Sequence, residues 1–448
     1  MKNLRSALTN SLSRSLSATA VLVVTILAAL PQPASAIPLF NRQTGQNCVA
    51  CHAGGQFPEL TPYGRLFKMT GYTIGERTLP VSAMVLLSYS KVANTSKPND
   101  PDPTASPDFQ KNGSLIFPTA SLFLGGKISD NIGAFAQITY DNYATQAADG
   151  SFHGHTNADN IDIRYADRFI DAGRDLIFGI SANNNPSVSD PWNTAAAWMQ
   201  YVPVPSPTSS QFIDGTAPYP GFAAGGNIAG ITAYAYWNRM VYAELGGYRT
   251  AKGLFRFMSA GVADADLTKL KGTNPYWRLA FNHEWGAHSL MVGTAGMVAK
   301  VYDDPLDTSD PSTVHRDRDV AVDAQYQYLL DPHSVTAQFA HSRNRHNYSD
   351  ADPLAGTSDT TNITRAKLTY VYQAKYGASL GSFNSTGSTN TDTRGWTYEA
   401  FWTPIQNIRI GAQYTTYSKF DGASSNYGGT ARNASDNNTL FLYVWGAY

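Results

Sequence analysis

The chain has 448 residues, a formal net charge of −1 and two cysteines. A chain this close to neutral has no electrostatic attraction to nucleic acid, so a nucleic-acid partner is not expected. Charged residues make up only 15%, whereas 26 Tyr, 20 Phe, 8 Trp and 37 Gly are present. This composition is typical of a β-rich protein with belts of aromatic side chains, either a transmembrane barrel or a secreted soluble β-protein.

The N-terminus has the three parts of a secretory signal peptide. Three basic residues precede an apolar stretch at residues 18–30, and an Ala-Ser-Ala cleavage site follows at residues 34–36. We expect residues 1–36 to be removed and the mature chain to begin at Ile37, with the formal net charge changed from −1 to −4 by the loss of three positive charges. The remaining sequence lacks the run of about 18 apolar residues that a membrane helix needs, so we expect any membrane crossing to be made by strands.

Both cysteines belong to one segment, Cys48-Val49-Ala50-Cys51-His52, which we call the Cys-His segment. Its C-x-x-C-H pattern is that of covalent haem c, in which the thiols add to two vinyl groups and the adjacent imidazole ligates the iron. A thioredoxin-like dithiol is not supported because no βαβ pattern follows. A zinc site would need two more ligands nearby, and the next histidine is His153. The segment therefore predicts one covalent haem c, with a disulfide between the two cysteines as the alternative.

Residues near the Cys-His segment are candidates for further contacts with the haem. Arg42, Arg65 and Lys68 are near enough in sequence to bind the haem propionates, and Arg can hold a carboxylate through two parallel hydrogen bonds. Met69 is a candidate for the distal ligand of the iron, because a Met/His pair would raise the reduction potential. The alternative is that Met69 packs as an apolar side chain against the haem or a barrel wall.

From residue 78 onward the sequence repeats segments of about ten residues in which apolar and polar side chains alternate. Along Val320 to Tyr328 the even positions are apolar, whereas the odd positions include Asp323, Gln325 and Gln327. The segments Trp396 to Trp402 and Ile161 to Tyr165 alternate in the same way. A soluble sandwich would show the same alternation, so this pattern alone does not distinguish the two classes.

The connections between these segments favour a membrane barrel, because short turns alternate regularly with long polar links. The long links lie near residues 93–112, 143–159, 184–226, 251–275, 303–317, 344–361, 385–393 and 419–437. They separate roughly sixteen strands, and the last segment, Leu440 to Tyr448, ends at an aromatic residue as final barrel strands do. The sequence therefore predicts an all-β fold, a transmembrane antiparallel β-barrel of about 16 strands in the bacterial outer membrane, surrounded by outer-membrane lipid.

Charged residues fall on the polar faces of the predicted strands and in the predicted outer loops. On the strands we expect them to line a hydrated lumen or to pair with one another, since polar interiors are usual in such barrels. These residues are Asp162, Arg164, Glu244, Arg278, Asp323, Arg365, Lys367 and Glu399. Acidic residues in the loops, including Asp303 and Asp310, are hard ligands that could hold ferrous iron briefly, but loop solubility accounts for them and we do not name them as a site.

The residues around the Cys-His segment resemble outer-membrane fusions of a small monohaem cytochrome to a porin, best known as ferrous-iron oxidases of iron-oxidising bacteria. The resemblance lies in PLFNRQTG at 38–45, PELTPYGR at 58–65, Phe67-Lys68, Gly71-Tyr72 and the loop residues 183–186 and 190–193, with departures at Asn41, Tyr63 and Met69. It covers most of the N-terminal part, and the rest of the chain matches in architecture only.

This resemblance implies a haem c domain at residues 37–77 that is too small to shield a haem alone, followed by a porin-like barrel at residues 78–448. The domain would start at the periplasmic mouth and use the barrel lumen as its missing shell. The implied function is that of an electron-transfer oxidoreductase, passing electrons from extracellular Fe(II) to a periplasmic cytochrome or another soluble electron carrier. The alternatives are a transport porin whose haem domain is a plug or sensor, and outward electron transfer to an extracellular acceptor.

Overall fold

The computed structural model describes residues 38–55, 59–79, 81–94, 112–146, 151–192, 227–261, 268–388 and 392–448. The predicted signal peptide lies outside these described residues. Four short α-helices are found among them: α1 Pro38–Thr44, α2 Cys48–Cys51, α3 Pro62–Met69 and α4 Pro186–Ser189. None of the described helices is long and apolar enough to cross a membrane.

Within the described residues, sixteen strands form a single antiparallel sheet in which each strand pairs with its neighbours in sequence. The first strand pairs with both the second and the last, so the sheet closes into a barrel. The predicted all-β barrel is thereby confirmed, and a barrel of this size encloses a lumen rather than a packed core. The strands are β1 Val81–Val92, β2 Leu115–Lys127, β3 Ile132–Gln146, β4 Phe152–Asp171, β5 Arg174–Asn183, β6 Ile228–Trp237, β7 Val241–Thr250, β8 Asn274–Trp285, β9 His288–Tyr302, β10 Val314–Leu330, β11 His333–Asn347, β12 Ser358–Tyr372, β13 Tyr376–Gly387, β14 Thr393–Ile405, β15 Ile408–Lys419 and β16 Thr439–Ala447.

Side chains alternate between the outer surface of the barrel and its lumen, as the sequence pattern predicts. On β10, Val320 is 51% exposed whereas Asp323 is 6% exposed. On β14, the exposed Trp396 and Trp402 lie on the opposite face from the buried Glu399. An apolar and aromatic outer surface around a polar lumen is the architecture of barrels that cross the outer membrane. The protein is an outer-membrane β-barrel.

The connections alternate between short turns at one end of the barrel and longer links at the other, as predicted. The link expected at residues 143–159 is shorter, because β3 and β4 continue to pair as far as Gln146 and Phe152. In this two-stranded extension the main-chain polar groups are hydrogen-bonded between the strands, so the pair can extend beyond the membrane without apolar side chains. A further short turn joins β12 to β13 without a Gly or Pro, and there Gln373 and Ala374 both adopt a φ of 53°.

The described part of residues 38–79, which we call the plug, lies against the lumen face of the barrel wall. Its helix α3 begins where Thr61 Oγ1 accepts a hydrogen bond from Gly64 N over 3.1 Å, and Gly71 follows its end with a φ of 74°. Leu39 of the plug packs in a buried cluster with β1 and β16. On a different part of the wall, Tyr72 Oη donates to Asp162 Oδ2 of β4 over 2.6 Å.

The link after β5 also bends into the lumen. Its described residues 184–192, which we call the inward segment, contain α4 and end at Trp192, which is 0% exposed. Gln325 Nε2 of β10 donates to the main-chain oxygen of Trp192 over 2.8 Å. Arg278 Nε of β8 lies 3.5 Å from Asp190 Oδ1. The inward segment follows β5 but is bound to β8 and β10, on a different part of the wall. It therefore narrows the lumen beside the plug.

Candidate functional site

The Cys-His segment begins on the single turn of helix α2. His52 N donates to Cys48 O over 2.8 Å, which places the imidazole directly after the turn that carries both thiols. Cys48 is buried and Cys51 is half-buried. Burial and the neighbouring Cys48 raise the pKa of the Cys51 thiol to about 11. Nucleophilic redox thiols have lowered pKa values, so this environment is not that of a thioredoxin-like dithiol.

His52 is a half-buried residue of the plug. Burial lowers its pKa to about 4, although the nearby Glu59 carboxylate acts in the opposite direction. The imidazole is therefore neutral, which is the form that ligates metals. Its Nδ1 is buried and has no hydrogen-bond partner. A neutral imidazole with a buried, unsatisfied nitrogen, beside two cysteine side chains, fits a covalently attached haem c.

The plug helix α3 lies very close to the Cys-His segment at Gly64. A Cβ atom at this position would approach the main-chain oxygen of Cys51 to 2.2 Å, so only glycine allows the contact. On the other side, Cys48 Sγ lies 3.8 Å from Oε1 of Gln406, in the turn between β14 and β15. The Cys-His segment is thus held at the end of the barrel that carries the short turns, which faces the periplasm in barrels of this class.

Arg65, a predicted propionate ligand, is bound to the barrel wall. It is 1% exposed, and its Nη1 donates to Oε1 of Gln327 over 2.9 Å and to Oε1 of Gln325 over 3.2 Å. Its Nη2 donates to Oγ of Ser289 over 2.7 Å. Burial lowers its pKa to about 10, against the attraction of Glu284. In this structure Arg65 fastens α3 to β9 and β10, and its contact with a propionate stays a prediction.

Lys68 and Arg42, the other two predicted propionate ligands, also fasten the plug. Lys68 Nζ donates to the main-chain oxygen of Asp190 over 2.7 Å, which joins α3 to the inward segment. Burial, with repulsion from Arg164, lowers the pKa of Lys68 to about 8. Arg42 Nη2 donates to the main-chain oxygen of Val81 at the start of β1. The structure brings neither cation to a free position beside the Cys-His segment.

Met69 lies in an apolar cluster at the end of α3. It is 1% exposed and packs with Trp192 of the inward segment and with Tyr242 and Met291 of the wall. Its main-chain oxygen accepts a hydrogen bond from Tyr234 Oη over 2.7 Å. These contacts match the packing alternative, whereas ligation of an iron by its sulfur stays a prediction.

Several of the charged residues predicted on the polar strand faces form ion pairs inside the barrel, with other wall residues or with the plug. Arg164 Nε lies 2.7 Å from Asp162 Oδ2, and Arg278 Nη1 lies 2.5 Å from Asp323 Oδ1. Lys367 Nζ of β12 lies 3.0 Å from Oε1 of Glu59, a plug residue beside the Cys-His segment. The predicted role of these charges, pairing and seating of the plug, is thus confirmed for the pairs described.

Sequence reasoning missed a cation close to the Cys-His segment, Arg409 of β15. Its Nη2 lies 2.8 Å from Glu399 Oε1, and its Nε donates to Tyr443 Oη over 2.8 Å. A small cavity is lined by Arg409 and Lys367 and by Ala53, the residue that follows His52. The sequence does contain a pattern that indicates this position. Along β15, Arg409 lies between two outward isoleucines, so the alternation of side chains places it on the lumen face.

Comparisons with known proteins identify no family for this chain. No protein family matches the sequence, and no curated protein is similar to it. Among solved structures, the chain is similar to OmpF of Salmonella typhi in complex with daunomycin, at 11% identity and a TM-score of 0.45, over 82% of this chain and 97% of that one. It is also similar to an anion-selective porin from Comamonas acidovorans, at 9% identity and a TM-score of 0.45, over 82% and 98% of the two chains.

A third similar structure is the outer membrane channel DcaP of Acinetobacter baumannii, at 10% identity and a TM-score of 0.44, over 82% of this chain and 96% of that one. At these identities and TM-scores the likeness adds nothing to what the closed barrel itself shows. The function of this chain is therefore inferred from its own residues in the lumen.

Proposed function

We propose that this protein is an outer-membrane c-type cytochrome-porin that carries electrons across the outer membrane, from extracellular Fe(II) to a periplasmic electron carrier. The observation that carries the proposal is the setting of His52. Its imidazole directly follows the turn that carries both cysteines, and its buried Nδ1 has no hydrogen-bond partner. A polar nitrogen is costly to bury in this way unless the site holds a further group, and the C-x-x-C-H pattern specifies which group.

A covalent haem supplies a one-electron redox centre when it is bound. Cys48 and Cys51 would attach it, and His52 would hold its iron. The wall and the plug together cover Cys48 and part of Cys51 and His52, which supplies part of the shell that a domain of about 40 residues lacks. Lys367 and Arg409, which line the cavity beside the Cys-His segment, are the cations best placed to meet its propionates.

The two ends of the barrel support a route between the outside and the periplasm. The Cys-His segment lies beside the turn at Gln406, where a soluble electron carrier can approach from the periplasm. The long links surround the other mouth, through which a small donor such as Fe(II) would enter. The apolar band of such a barrel is only about 25 Å tall, so one redox centre in the lumen is near both sides.

Stopped-flow spectroscopy tests both the donor and the direction of transfer. Oxidised full-length protein mixed with Fe(II) should show reduction of the haem, at a rate that rises with Fe(II) concentration. Reduced protein mixed with Fe(III) tests outward transfer to an extracellular acceptor. The Cys48→Ala variant of the barrel should show neither spectral change. A wild-type haem that Fe(II) cannot reduce at any pH from strongly acidic to neutral would remove iron oxidation as the function.

A transport porin in which the haem domain is a plug or sensor is the second candidate. The fastening of the plug to the wall through Arg65 and Glu59, and to the inward segment through Lys68, favours it, because a seated plug is also what a regulated channel requires. Planar bilayer recordings separate the two functions. A wild-type protein that opens to an ion-conducting channel would favour the porin, whereas the cytochrome should remain closed.

A further inference from the structure

A second group of metal-ligating side chains lies at the opposite end of the barrel from the short turns. It consists of His315 and Asp317 near the start of β10 and His346 near the end of β11. Asp317 and His346 are directly opposite each other in the strand register, and His315 lies two residues before Asp317. All three side chains therefore project from the same face of the sheet, the lumen face, at the outer mouth.

The ligand atoms of the three residues converge on one point. His346 Nδ1 lies 3.0 Å from Asp317 Oδ1, and His315 Nε2 lies 3.3 Å from Asp317 Oδ2. The two imidazole rings are 4.6 Å apart between their centroids. One ligand atom from each residue lies within 4.8 Å of the other two, a spacing that allows a single metal ion to contact all three. Asp317 is 5% exposed, so its carboxylate is shielded from solvent.

Neighbouring residues orient this group as the surroundings of a metal site do. Asp303 Oδ1 accepts a hydrogen bond from His315 Nδ1 over 2.5 Å, which leaves Nε2 of the same ring directed at Asp317. Ser349 Oγ donates to the other carboxylate oxygen of Asp303. Asn344 Nδ2 donates to Asp317 Oδ1 over 3.3 Å. A carboxylate on the outer nitrogen of a ligating histidine fixes its orientation and raises its basicity.

We propose that His315, Asp317 and His346 form a binding site for a divalent first-row transition-metal ion at the outer mouth of the lumen, with Asp303 as a positioning residue. Two imidazoles and one carboxylate suit Fe(II), Co(II), Ni(II) or Zn(II), whereas Ca²⁺ and Mg²⁺ prefer sites made only of oxygen ligands. Three protein ligands leave coordination positions open to water, so the ion can exchange with the medium.

This site is separate from the Cys-His segment. Gly54, which follows that segment, lies against Val371, and Val371 is paired with Ser334 on β11. Ser334 and His346 are separated by about 40 Å of extended strand. An ion at His346 therefore does not touch a group held by His52, and the metal site stands whether or not the proposed electron transfer does. If that function holds, Fe(II) entering from outside would meet this site before it reaches the plug.

Zn²⁺ titration of the full-length protein in detergent, after removal of metals with a chelator, tests the proposal. Isothermal titration calorimetry should show one strong Zn²⁺ site in the wild type. Asp317→Asn and His346→Ala should weaken it at least tenfold, and Asp303→Asn should weaken it by about 10- to 100-fold, the usual effect of removing a hydrogen bond to a metal ligand. His333→Ala is the matched control, because His333 is exposed at the other end of the same strand and should leave the affinity unchanged.

X-ray absorption at the zinc edge separates this site from the Cys-His segment. Zinc at the proposed site has nitrogen and oxygen ligands at about 2.0–2.2 Å, whereas zinc bound by the cysteine thiolates has sulfur at about 2.3 Å. A sulfur shell that disappears in Cys48→Ala would mean that the thiols bind the zinc ion. This result would overturn the metal-site proposal, and it would also show that the cysteines of part of the protein are not attached to haem. Equal Zn²⁺ binding by the wild type and the Asp317→Asn variant would overturn the metal site alone.

Discussion

Arg65 of the plug donates a hydrogen bond from Nη1 to Oε1 of Gln327 on the barrel wall, over 2.9 Å and across 262 residues of sequence. The same guanidinium also reaches Gln325 and Ser289, so a single plug side chain contacts two strands. Because all of these groups are buried, they depend on one another for hydrogen bonds.

We predict that Arg65→Ala loosens the plug. Each wall group left without a partner costs about 1–3 kcal/mol, so the seated state should lose stability and ion conductance in planar bilayers should rise. Arg174→Ala is the control, because Arg174 forms a surface pair with Asp171 at a short turn, and such pairs contribute little. A conductance equal to that of the wild type would show that other contacts suffice to hold the plug.

A second prediction concerns covalent attachment. Cys48→Ala and Cys51→Ala should each lose covalent haem stain on denaturing gels, while the barrel still assembles, because the strands do not depend on either thiol. Heat-dependent migration on gels reports the folded barrel. Wild-type protein without haem stain after expression with a c-type maturation system would contradict the cytochrome proposal.

Replacement of Met69 separates packing from ligation. Met69→Ala should lower the free energy of unfolding by about 2–5 kcal/mol, the usual cost of truncating a buried methionine. Met69→Leu preserves the volume but removes the sulfur, so under the packing alternative it should cost less than about 1.5 kcal/mol and leave the haem spectrum and potential unchanged. A fall in the haem potential in Met69→Leu, with stability retained, would instead support ligation by the thioether.

The orientation of the barrel predicts which loops proteases can reach. Epitope tags inserted near Asp310 or Asp352, in long links, should be cleaved on intact cells. Tags near Asn131 or Asp331, in short turns, should be protected until the outer membrane is permeabilised. The reverse pattern would place the Cys-His segment at the outer mouth and contradict the proposed direction of electron transfer.

Sequence alone predicted the features that depend on residues close together in the chain. Alternation with a period of two placed Val320 and Asp323 on opposite faces of β10, because successive side chains of a strand point to opposite sides. Regular turn signals predicted an even number of strands near the observed sixteen. The Cys-His segment was recognisable because its chemistry needs fixed spacing over five consecutive residues.

Tertiary structure decided the partners of the charged side chains. Lys68 is near the Cys-His segment in sequence, yet its ammonium donates to Asp190, 122 residues away. His346 and Asp317 meet across two strands although they are 29 residues apart. Such pairs follow from strand register and from the path of the plug through the lumen, and both depend on contacts between distant parts of the chain. No local pattern carries that information, because the spacing in sequence between two such partners is set by the lengths of the strands and loops between them.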